Sequence, residues 1–123
     1  MEPSLPPESP QVIRVDPLAL EPMVTVPAAI SLACISQGRP APAIIWLRDS
    51  VPLVEEEGGK VEVTVRTVAE TTESRLMVGP TGYEDRGNYS CVATNVAGED
   101  SYVFQLILQS ECVPTSCFKI CFC

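Results

Sequence analysis

The chain reads as an all-β protein, two antiparallel sheets packed face to face, on three grounds. Apolar residues recur with period two in short runs, turn-forming residues separate those runs, and no apolar stripe persists at helical spacing over three turns. A sheet with one apolar face must cover that face, and a second sheet is the economical cover for seven or eight short strands. With 123 residues, 46% hydrophobic and 20% charged, the chain holds one core and has no room for another.

The strands follow in order. Val12 to Val15 opens the series, and a further piece at Leu18 to Glu21 is cut off from it by Pro17. Ile30, Leu32 and Cys34 then point inward while Ser31 and Ala33 point to solvent. Gly38-Arg39-Pro40-Ala41-Pro42 breaks that pairing, after which Ile44 and Trp46 resume an inward face. Val61, Val63 and Val65 alternate with Glu62, Thr64 and Arg66, and Leu76 and Val78 alternate with Met77 and Gly79. Tyr89, Cys91 and Ala93 share one face of the next strand, a turn occupies Asn95 to Gly98, and Tyr102, Phe104, Leu106 and Leu108 line the last. Most of the 12 prolines fall before Pro52, where they flank strands and do not interrupt them.

These residues resemble the immunoglobulin superfamily. Cys34, Trp46, Leu76 and the run Asp85-Arg86-Gly87-Asn88-Tyr89-Ser90-Cys91 stand in the order and spacing of its framework. The Gly38 to Pro42 turn, Ile45 to Asp49 and Ala93 to Gly98 are similar to the forms of its intermediate set. The resemblance covers about four-fifths of the chain. It implies an immunoglobulin-like Greek-key sandwich over residues 12–109, between a proline-rich tail at 1–11 and a cysteine-rich tail at 110–123. Thr81, where the family usually has an apolar residue, and Pro22 to Pro27, in place of a glycine-containing bend, depart from the pattern.

The resemblance also implies roles. A disulfide between Cys34 and Cys91 would join the sheets across 57 positions, with Trp46 packed against it, and loop closure would contribute about 4 kcal/mol. Tyr89 would return its hydroxyl to backbone near Asp85, with Gly87 leaving room for that corner. Asp85 is read as structural, bonded there or paired with a base such as Arg66.

Several function classes are excluded. The chain has no histidine, so Ser-His-Asp, Cys-His and His-ligated metal chemistry are closed to it, and no glycine loop cradles a phosphate. Glu84 and Asp85 are neighbours whose side chains diverge on an extended chain. No enzyme, cofactor or metal is expected. A net charge of −8, with basic residues scattered singly, argues against nucleic acid as a partner. Apolar runs such as Val103 to Leu108 are too short for membrane insertion, and Met1 to Pro10 does not read as a signal peptide. The chain is therefore read as a piece of a longer exported protein or as an intracellular domain.

Recognition of other proteins is the function the resemblance implies, including neighbouring immunoglobulin domains or further copies of the chain. The favoured setting is an adhesion, receptor or extracellular-matrix protein at the cell surface or outside it. The alternative is a cytosolic scaffold domain of a giant muscle-type protein. Candidate loops are Gln37 to Ala41, Glu55 to Lys60 and Asn95 to Asp100; the acidic run Glu55-Glu56-Glu57 within them is read as a solvated loop. Asn88, in the sequon Asn88-Tyr89-Ser90, is a candidate glycosylation acceptor if the chain is exported. Cys112, Cys117, Cys121 and Cys123 fit the start of a disulfide-rich module, a cysteine metal site, a prenylated end or an end with no folded role.

Overall fold

The computed structural model describes residues 5–16, 23–26, 29–55, 59–79, 85 and 87–110, with 23–26 and 105–110 described as backbone alone. Nine strands are present: β1 Glu8–Asp16, β2 Met23–Val26, β3 Ile30–Arg39, β4 Ala43–Arg48, β5 Val51–Pro52, β6 Val61–Val68, β7 Thr71–Val78, β8 Gly87–Asn95 and β9 Gly98–Ser110. They form one sheet in the order β1-β3-β7-β6 and another in the order β2-β9-β8-β4-β5. In chain order the strands change sheet after β1, β2, β3, β5 and β7, so the hairpins are shared between two layers. Every pairing is antiparallel except that of β2 with β9, which is parallel.

Period-two patterning fills the space between the layers. Ile30, Leu32, Cys34, Leu76 and Val78 from one sheet meet Ile44, Trp46, Tyr89, Cys91, Ala93 and Phe104 from the other in one buried cluster. The Cys34–Cys91 disulfide ties its centre, and Trp46 is the register partner of Cys91. Trp46 stacks on Phe104 with ring centroids 6.0 Å apart, and Tyr102 meets Phe104 edge-on at 4.8 Å. Buried polar side chains find partners: the Trp46 indole N–H donates to Ser74 Oγ at 2.9 Å and the Thr72 hydroxyl donates to the Pro42 carbonyl at 2.6 Å.

The structure corrects four local expectations. The first strand begins at Glu8, not Val12, because Glu8 pairs with Arg39 and the register recovers from a shift before Gln11. That pairing also carries β3 through Gly38 and Arg39, so the break falls at Pro40, which follows a cis peptide bond. Ala33, expected at the solvent, is buried at 3%, since its short side chain lies between its flanking partners Asp16 and Arg75. Val65, expected on a half-buried strand face, is 58% exposed, because β6 is an edge strand with no strand on its far side among the described residues. Leu18 to Glu21, the Pro22 to Pro27 entry, Thr81, Glu84 and the four tail cysteines lie outside the described residues, as do the side chains of Leu106 and Leu108.

Candidate interaction surfaces

Two of the three candidate loops share one end of the sandwich. The Asn95 amide donates to the Glu8 carbonyl at 2.7 Å and to the Pro40 carbonyl at 3.0 Å, while its Oδ1 accepts the Ala97 N–H at 2.8 Å. One side chain thus shapes the β8–β9 turn and holds it against the β3–β4 loop and the start of β1. Gly98 closes the turn at φ +155°, where a Cβ would come within 3.1 Å of the Ser9 side chain. Arg39 fans over the same end to Glu70 at 2.7 Å, Glu8 at 3.4 Å and the Pro6 carbonyl at 3.0 Å. The Glu70 hydrogen bond holds its guanidinium above its ordinary pKa. Asp100 adds a long-range tie, accepting the Val12 N–H at 2.7 Å beside the irregularity in β1.

Of the third loop, Glu55 to Lys60, the described residues Glu55, Gly59 and Lys60 lie toward the opposite end, and Glu56 to Gly58 are outside the described residues. There the Tyr89 hydroxyl donates to the Asp85 carbonyl, and the buried Asp85 carboxylate accepts Lys60 Nζ at 2.7 Å with Arg48 at 3.7 Å. The expected pairing of Asp85 with Arg66 does not form. Arg66 stands on the outward side of β6 opposite its register partner Glu73, which it meets at 3.2 Å, whereas Lys60 immediately precedes β6 at the end where Asp85 sits. Burial pushes the Tyr89 pKa up from 10.0; a hydrogen bond to Arg48 opposes this and the Asp85 charge adds to it. Gly87 follows at φ +147°, and a Cβ there would meet Asp49 Oδ2 at 2.7 Å. Asp49 and Ser50 take positive φ in the β4–β5 turn, and Asp49 clasps Asn88 by accepting its N–H at 3.0 Å and donating to its carbonyl at 2.8 Å. The Asn88 side chain is exposed.

The remaining framework residues are in the interior: Leu76 is fully buried against its partner Leu32, and Trp46, Tyr89 and both cysteines are each at most 3% exposed. The sequence reading placed Asn95, Asp100 and Lys60 at the bounds of candidate loops but not their ties, each to a segment remote in sequence. The asparagine of the Asn95 to Gly98 turn was the one signal on hand.

Outward residues differ between the sheets. On the β5-β4-β8-β9 face, Ile45, Val92 and Ser101 form one register row and Leu47, Ser90 and Val103 the next, with Pro52 beside Leu47. Ile45 is 53% exposed and Val103 52%, and neither row contains a charge. On the other sheet the rows are Arg14, Ile35, Glu73, Arg66 and Asp16, Ala33, Arg75, Thr64. Among the described residues no cluster of three or more His, Cys, Asp or Glu could hold a metal, and no helix is long and apolar enough to cross a membrane.

The family model of the immunoglobulin I-set domain matches residues 20–108, most of the chain. The chain belongs to the immunoglobulin I-set family. Among I-set relatives it is similar to mouse hemicentin-1, 40% identical over 77 residues that make up 63% of this chain and 1% of hemicentin-1. Mouse myopalladin is 33% identical over 65% of this chain and 6% of its own length. The chain is thus a small fraction of the length of both relatives. In structure it resembles a chain of the complex of Dpr2 Ig1-Ig2 with DIP-Theta Ig1-Ig3, with a TM-score of 0.71 over 81% of this chain and 32% of that one at 20% identity. The I-set fold is typically non-catalytic, and I-set relatives include both extracellular and muscle cytoplasmic proteins.

Proposed function

We propose that this I-set domain is a non-catalytic protein-protein interaction module of an adhesion, receptor or extracellular-matrix protein, and that it binds through the outer face of the β5-β4-β8-β9 sheet. The observation that carries this reading is the pair of uncharged rows through Ile45 and Val103. Interface cores are depleted of charge and rich in apolar contact, and elsewhere the chain carries −8. The Cys34–Cys91 disulfide supports an oxidising compartment, as does the likeness to hemicentin-1. Immunoglobulin domains are attractive partners, since the neighbour comes from a complex of Dpr2 Ig1-Ig2 with DIP-Theta Ig1-Ig3.

The test is binding of the bead-displayed chain to a panel of immunoglobulin-domain ectodomains, beside the variants Ile45→Lys and Val103→Glu. Both positions are exposed, so melting temperatures should stay unchanged while binding falls by at least about tenfold, as expected for a charge placed in an apolar contact. Equal binding by the variants would refute the assignment of the face. The second reading, a cytosolic scaffold domain of muscle type, is favoured by the likeness to myopalladin. Thiol labelling of both Cys34 and Cys91 in protein isolated from its native source would select it.

A further inference from the structure

The four edges of the two sheets are closed to unequal degrees. β1 carries register shifts between Glu8 and Gln11 and between Val12 and Arg14, β2 has four residues, and β5 has two, one of them proline. Each of these blunts an edge against another strand. β6 has eight residues paired to β7 in unbroken register, contains no proline, and has no strand on its far side among the described residues.

The hairpin fixes which backbone groups of β6 face outward. Val68 pairs with Thr71 across a turn of Ala69 and Glu70, and a two-residue turn closes on a hydrogen-bonded pair. Bonding then alternates, so Glu62, Thr64, Arg66 and Val68 bond β7 while Val61, Val63, Val65 and Thr67 direct their N–H and C=O groups away from it. The Val63 N–H indeed finds its acceptor off the sheet, in Glu55 Oε2 at 2.9 Å.

We propose that β6 pairs antiparallel with β6 of a second copy of this chain, about a two-fold axis through Thr64. In that register Glu62 of each copy stands opposite Arg66 of the other, Val63 opposite Val65, and Thr64 opposite its own equivalent. The outward backbone groups of Val61, Val63, Val65 and Thr67 meet as bonded pairs. The two threonines occupy the non-bonded position, where side chains approach most closely. Neighbouring registers that keep each face intact are poorer. Centring on Val63 sets Lys60 against Arg66, and centring on Val65 leaves Glu62 and Arg66 opposite uncharged residues. The pairing also covers Val65, 58% exposed in the single chain. Glu55 competes with it by occupying the Val63 N–H, so the edge is opened by moving one side chain. The contact is isologous, and it closes at two copies because each β6 edge is used up by the other. The inference rests on β6 and is independent of the reading of the β5-β4-β8-β9 face.

The test is sedimentation equilibrium of the full chain, its accessible thiols alkylated, up to about 1 mM, where weak contacts of this size are populated. The wild type should dimerise reversibly, and Glu55→Ala should dimerise more tightly. Glu62→Arg and Arg66→Glu should each weaken the dimer by about tenfold or more, since each replaces two attractive pairs with two repulsive ones. The double variant Glu62→Arg with Arg66→Glu should restore it, because the charges are exchanged and remain complementary. All three positions are exposed, and melting curves report any folding defect separately. A monomer throughout, for wild type and Glu55→Ala alike, would overturn the proposal. So would a dimer indifferent to the single charge reversals, or one that the double variant fails to rescue.

Discussion

The two ends of the sandwich are fastened by different physics. At the Asp85 end a carboxylate with 5% side-chain exposure is held by Lys60 and Arg48 beneath the Tyr89 hydroxyl bond. At the Asn95 end the ties are exposed: an amide to two carbonyls and an arginine to two surface carboxylates. A buried charge is expensive to strand, whereas an exposed donor that loses its acceptor recovers water. The first end therefore locks the fold, and the second orders loops that can change sequence without unfolding the domain.

The sharpest way to break the contrast is at Asp85. Asp85→Ala leaves Lys60 and Arg48 without their buried acceptor; both are about a third exposed and reach water, so the loss should be about 2–3 kcal/mol in urea unfolding, at the lower end for a broken buried pair. Tyr89→Phe keeps the ring and removes the hydroxyl, leaving the Asp85 carbonyl short of a donor, for about 1–2 kcal/mol. The pH dependence of that loss sharpens the comparison further. The folded state raises the Tyr89 pKa above 10.0, so it holds the proton more tightly than the unfolded chain. Its contribution is complete below pH 10.0 and is lost as pH rises through the folded value. The stability gap between wild type and Tyr89→Phe should shrink in alkali, and a gap constant with pH would contradict the assignment. At the other end, Asn95→Ala should cost about 1 kcal/mol, the smallest effect, and raise amide exchange at Ala97 without disturbing the core.

The strands were legible because period-two alternation is local. Ile30, Leu32 and Cys34, or Tyr89, Cys91 and Ala93, declare a buried face without reference to any neighbour. The I-set framework was legible in the spacing of Cys34, Trp46 and the run ending at Cys91. Ala33 misled because its burial comes from what flanks it, and Arg66 misled because ion pairing follows register and not sequence distance.

By itself, then, the sequence determined the fold class, the inward faces and the absence of histidine chemistry, all properties of residue type and short-range order. The tertiary structure decided which base meets Asp85, which loops share an end, and which strand is left with a free edge. Each of these depends on how segments far apart in the chain are set side by side, and the relative placement of two strands has no period of its own to read.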